Sequence, residues 1–169
     1  MSIIELSKPV RATAQETFFQ LIRFDGYPDF MHAVDQAAPD ADTPGRMSFR
    51  YTSGNATLHY TVDIDSSEEF AEVHWTSVDG PKHTGLARVI ATDSGDSELR
   101  VRVDLRPAGV IANRDDVLGA IRSRMEHDME QFAEYVERGG GEAPMPSAEH
   151  RSTMERLFGK LFSGSRRRA

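Results

Sequence analysis

The chain has 169 residues, a hydrophobic share of 38% and a formal net charge of -7 at pH 7, the composition of one soluble globular domain with enough apolar material for a core. It contains no cysteine, which excludes a disulfide framework, thiol catalysis and cysteine-ligated metal centres. The charge is unevenly placed. Residues 148–169 carry Arg151, Arg156, Lys160, Arg166, Arg167 and Arg168 against Glu149 and Glu155, which leaves 14 basic and 25 acidic residues in the rest. A body so acidic repels a nucleic-acid duplex, so no nucleic-acid partner is expected.

The N-terminal M-S-I-I-E-L-S-K-P-V lacks a basic stretch followed by an apolar one, and no apolar run approaches the roughly 20 residues that cross a bilayer. With the absence of cysteine, these features predict a cytoplasmic protein. In chain order, Ile4, Leu6 and Val10 fit a first strand. Thr13-Ala-Gln-Glu16 reads as a capping box that opens a helix with Ala14, Phe18, Leu21 and Ile22 on one face. Asp25-Gly26 breaks it, and Tyr27-Pro28 begins a second short helical turn through Phe30 and Met31.

From Ala33 the period changes to two. Met47, Phe49 and Tyr51 alternate with Ser48 and Arg50; Leu58, Tyr60, Val62 and Ile64 with Thr57, His59, Thr61 and Asp63; Ala71, Val73 and Trp75 with Phe70, Glu72, His74 and Thr76. A strand from His83 to about Thr92 follows, then Leu99, Val101, Val103 and Leu105 alternating with Arg100, Arg102, Asp104 and Arg106. Short turns join these segments, so about six strands after the helices are expected in an antiparallel meander with one apolar and one charged face.

The spacing then predicts one long helix over Asn113–Arg138. Leu118, Ile121, Met125, Met129, Phe132 and Val136 recur at three- and four-residue steps, Asn113 is the expected N-cap, and Gly139 the expected stop. Such a stripe requires a broad apolar surface, which the sheet supplies. Gly139-Gly140-Gly141, Pro144 and Pro146 read as a linker over 139–147. Ser147 is an expected cap for a final helix, in which Met154, Leu157, Phe158, Leu161 and Phe162 form a second stripe.

The segments S-K-P-V-R-A-T-A-Q-E-T-F-F-Q-L-I, F-D-G-Y-P-D-F-M-H-A-V, E-V-H-W-T-S-V-D-G-P-K-H-T-G, L-R-V-R-V-D-L-R-P-A-G and E-Q-F-A-E-Y-V-E-R, in this order, resemble the START-like (SRPBCC, helix-grip) superfamily of polyketide cyclase/dehydrase and coenzyme Q-binding type. The resemblance covers residues 1–138. It implies an α+β fold in which a curved antiparallel sheet, with two short helices after its first strand, grips the C-terminal helix around an apolar cavity. Members include aromatic polyketide aromatase/cyclases, coenzyme Q-binding proteins and lipid carriers. The resemblance assigns no catalytic residues, cofactor or metal to this chain.

Phe30, Met47, Tyr51, Tyr60, Trp75, Met125, Met129 and Phe132 are expected to face inward, with Phe49, as core or as the wall of a ligand cavity. The tyrosine and tryptophan tips need partners when buried, and a ligand oxygen could serve. His83, after the Gly80-Pro81 turn at a strand end, is a candidate ligand contact, whereas His59 and His74 fall on the charged face. Arg88, Arg100, Arg102, Asp104 and Arg106 with Glu72 read as cross-strand pairs rather than a catalytic cluster. The strands offer no inward pair of titratable groups.

Three functions remain open on this reading. The first is binding or carriage of a hydrophobic small molecule: a lipid, quinone or polyketide-like compound. The second is a cyclase or dehydratase. The third is an interaction protein tethered through residues 148–169 to an anionic membrane or a protein partner. The competing reading of that tail is an extension without a partner, or a helix folded back on the acidic body.

Overall fold

A computed structural model describes residues 2–53, 56–106 and 114–140. Seven strands form one antiparallel sheet: β1 (Ser2–Val10), β2 (Val34–Pro39), β3 (Arg46–Ser53), β4 (Ala56–Ser67), β5 (Glu72–Asp79), β6 (His83–Ala91) and β7 (Ser97–Leu105). Their order is β1-β7-β6-β5-β4-β3-β2, a meander whose last strand returns beside the first. Helix α1 (Ala14–Leu21) and a 3-10 turn (Phe24–Asp29) follow β1, and helix α2 (Arg114–Glu137) follows β7. Among the described residues no helix is long and apolar enough to cross a membrane.

The capping box at α1 is present: the Glu16 amide donates to Thr13 Oγ1 at 3.2 Å and the Thr13 amide donates to Glu16 Oε2 at 3.1 Å. The second helical turn begins earlier than its sequence suggests. Asp25-Gly26 lies inside it instead of before it, and the turn ends ahead of Phe30. Helix α2 stops where Gly139 (φ 84°) takes the left-handed conformation. The Gly139 amide donates to the Val136 carbonyl and the Gly140 amide to the Tyr135 carbonyl, both at 2.9 Å, the paired bonds of a Schellman motif. Strand β5 begins at Glu72, because Ala71 (φ 50°) belongs to the preceding turn.

Register slips between Val34 and Gln36 in β2 and between Thr61 and Val62 in β4 add local twist, which helps the sheet curve. Its concave face carries Met47, Phe49, Val62, Ile64, Val73, Ala87, Val89 and Leu99, all buried, and against them lie Met129, Phe132, Ala133 and Val136 of α2 and Phe18, Leu21 and Ile22 around α1. A buried polar link joins α1 to β7: the Thr17 and Ser97 hydroxyls lie 2.8 Å apart, and Ser97 donates onward to the Ala12 carbonyl at 2.9 Å.

The opposite face is charged as expected. Arg46 reaches Asp63 at 2.8 Å, Arg102 reaches Glu5 at 3.0 Å, and Glu72 holds both Arg88 and His74. The expected cap Asn113, the linker beyond Gly140, and Met154, Leu157, Phe158, Leu161 and Phe162 lie outside the described residues.

Candidate functional site

The inward residues of the sequence reading divide into two groups. Phe30, Met47, Met129 and Phe132 are buried in the core; Phe30 stacks on Tyr135 at 4.3 Å between ring centroids and packs on Phe132 at 5.9 Å. Tyr51, Tyr60, Trp75, His83 and Met125 are only half-buried. Tyr51 stands against the N-terminal part of α2, where Leu118 and Ile121 are half-buried as well.

Within that group Tyr60 joins His83 to the buried core. Tyr60 stacks on Phe49 at 5.3 Å and meets the edge of His83 at 5.8 Å. The Trp75 indole lies against the backbone of Gly85, where a Cβ would stand 1.9 Å from the ring. Only glycine allows that approach, so Gly85 and Trp75 together set the floor of this part of the sheet. The imidazole of His83 is oriented by its own turn. Its Nδ1 lies 2.7 Å from the Pro81 carbonyl, which can only accept, so Nδ1 carries the hydrogen and the neutral ring keeps its lone pair on Nε2.

The chemistry concentrates on α2. Arg124 and Asp128, one turn apart, both reach the Tyr51 hydroxyl of β3. Tyr51 donates to Asp128 Oδ2 at 2.5 Å, Arg124 Nε donates to the Tyr51 oxygen at 2.7 Å, and Arg124 Nη2 donates to Asp128 Oδ1 at 3.3 Å. The guanidinium carbon also lies 5.3 Å from the Tyr51 ring centroid. Burial raises the Asp128 carboxyl above the usual carboxylate range, although the Tyr51 hydrogen bond and the charges of Arg124 and His127 oppose it. Tyr51 is raised by burial and then by its bond to Asp128. Burial, followed by the Asp128 charge, pushes the Tyr60 hydroxyl up to about 12. Burial, followed by the Tyr60 charge, also raises Tyr27, whose hydroxyl donates to the Leu21 carbonyl at 2.5 Å.

The sequence reading did not single out Arg124 or Asp128, having sought inward charge on the strands. A signal existed. Asp128 stands three residues after Met125 and four before Phe132, so a carboxylate occupies a step of the apolar stripe. Arg124, four residues earlier, is the partner such a position requires. The arginines on the strands that the sequence reading assigned to surface pairs do form surface pairs where they contact acids. Among the described residues no group of three or more metal-ligating side chains could hold an ion.

No family model matches the chain. An uncharacterised 17.2 kDa protein of the melC2-rnhH intergenic region of Streptomyces lincolnensis is 26% identical over 145 residues, which is 84% of this chain and 94% of that protein. The crystal structure of the protein TTHA0849 from Thermus thermophilus superposes with a TM-score of 0.74 at 10% identity, covering 83% of this chain and all of that one. The Zhui aromatase/cyclase from Streptomyces sp. R1128 superposes with a TM-score of 0.73 at 14% identity, covering 85% of this chain and 98% of that one. The fold is thus the helix-grip α+β architecture of these solved structures, a seven-stranded antiparallel sheet closed by a long C-terminal helix.

Proposed function

We propose that the protein binds a hydrophobic small molecule between the N-terminal part of α2 and the concave sheet, with the Tyr51–Arg124–Asp128 cluster as the polar end of the site. The cluster is the observation that carries this reading. A carboxyl, a guanidinium and a phenol meet at the edge of the apolar interface, where the Asp128 and Tyr51 groups cost desolvation and Arg124 stays partly open to solvent. Arg124 has donors beyond the two used on Tyr51 and Asp128, and these suit a carbonyl or phenolate oxygen on an otherwise apolar ligand. Tyr60, whose hydroxyl feels the Asp128 charge, and Met125, next to Arg124 in α2, offer aromatic and thioether surface near them, which favours a planar or polycyclic compound of the quinone or polyketide kind.

The protein's single tryptophan makes the test direct. Titration with a soluble quinone such as decylubiquinone is expected to quench Trp75 fluorescence saturably, and Arg124→Met is expected to weaken that binding at least tenfold. Native mass spectrometry before and after solvent extraction reads any co-purified ligand. A protein that carries no extractable ligand and shows no saturable quenching with quinone or anthraquinone probes overturns the proposal.

A second reading, a cyclase or dehydratase, is favoured by one feature: a carboxyl held within hydrogen-bond reach of a phenol and an arginine, and raised by burial, is placed to accept and return a proton. Arg124 would hold a substrate carbonyl oxygen while Asp128 takes the proton from the adjacent carbon and returns it to the β-hydroxyl, which leaves as water, and the lone pair of His83 Nε2 is a further acceptor near Tyr60. Turnover of a β-hydroxy ketone that disappears in Asp128→Asn while quinone binding persists would select this reading over carriage.

A further inference from the structure

At the other end of α2 the surface is cut by a groove of about 430 Å³, roughly 12 residues, or some 18 Å of helix, from the polar cluster. Its walls are α1 and the last turn of α2, and its end is the Schellman cap itself. The apolar part is made by Ala12, Val136 and Phe19, and Phe19 is 56% exposed, with only the Arg23 guanidinium over its ring at 5.9 Å. The rim carries Glu16, Glu137 and Arg11.

We propose that this groove is the docking site of the chain's own C-terminal segment, residues 154–162, which lays its apolar stripe across Phe19. Three observations choose this occupant over others. The last described residue, Gly140, lines the groove, so the remaining chain departs from the site itself. Residues 141–153 separate it from Met154; a chain of that length treated as a random coil spans about 20 Å, which keeps the stripe within reach. Met154, Leu157, Phe158, Leu161 and Phe162 recur at helical spacing, the pattern of an amphipathic helix that fills an apolar groove. The tail's net positive charge also meets a body that is strongly acidic.

Tethering strengthens the case. Short linkers give an effective concentration of about 1 mM, so contacts worth only ~100 μM as a free peptide would keep the groove about 90% occupied. The affinity that a few apolar residues and scattered arginines could not provide in solution is therefore sufficient within one chain. The bound segment would cover Phe19 and shield the stripe from other surfaces.

The test uses the full chain. With p-benzoyl-phenylalanine in place of Phe19, irradiation is expected to cross-link this position to peptides from 148–169 at a yield independent of protein dilution. In parallel, Leu157→Asp is expected to speed amide exchange several-fold in residues 15–20 and 137–140 while leaving the centre of the sheet unchanged. The assignment is overturned if the folded protein yields no such cross-link, if the cross-link maps elsewhere, or if its yield falls on dilution, which would show exchange between copies. It also falls if Leu157→Asp leaves α1 exchange unchanged but abolishes pelleting with phosphatidylserine-containing vesicles, which would assign the stripe to a membrane.

Discussion

The two halves of α2 face the same sheet but meet it differently. From Met129 to Val136 the helix is sealed: Phe132 is 1% exposed, and Met129, Ala133 and Val136 are buried with it. From Leu118 to Asp128 the inward side chains are only half-buried, and Arg124, Asp128 and Tyr51 bond among themselves. The sealed half holds the fold together. The other half leaves its inward side chains partly exposed and carries a polar cluster, which adds less to stability than sealed apolar packing does.

Substitutions can break that contrast. Phe132→Ala is expected to have the largest effect, a loss of about 3–5 kcal/mol in urea unfolding, because a large cavity would open in the sealed half. Met125→Ala, the matching truncation in the open half, should cost much less; equal losses would show that the two halves are packed alike. Ser97→Ala should cost about 1–3 kcal/mol, since it leaves the buried Thr17 hydroxyl and the Ala12 carbonyl without their partner.

Gly85→Ala sharpens the same boundary from the sheet side. The new methyl would collide with the Trp75 ring, so a loss of about 1–3 kcal/mol is expected together with a shift in tryptophan emission as the indole leaves its floor. An unchanged spectrum would mean that the floor can move without disturbing the ring.

Asp128→Asn tests the charge. Because the folded-state pKa of Asp128 is raised, its contribution to stability is fully present below the ordinary carboxylate value of 3.8 and is lost as pH rises through the higher folded value. Asparagine does not titrate. The urea midpoint of the variant should therefore gain on that of the parent as pH rises above that ordinary value, and a constant difference would refute the raised pKa. The smallest effect is expected at the outer face: Arg88→Ala, which removes an exposed partner of Glu72, should change stability by no more than about 1 kcal/mol and leave ligand binding untouched.

Much of this was legible beforehand because it depends on periodicity. Alternation in β3 to β7 and the stripe of α2 arise from side-chain directions fixed by the backbone, so the antiparallel meander and its charged outer face could be read directly. The polar cluster could not be read the same way. The stripe position of Asp128 hints at an inward charge, but that Tyr51 is its partner follows only from the curvature of the sheet. The half-burial of Tyr60 and Trp75 likewise depends on how far a curved sheet stands from the helix above it.

The sequence by itself determined the elements, their order and the face each turns to the core, since period, capping residues and turn glycines act over a few residues. Tertiary structure alone decided which inward residues are sealed and which stay half-open, and that a phenol, a guanidinium and a carboxyl meet. Burial and desolvation depend on distances between elements far apart in the chain, and no local pattern encodes those distances.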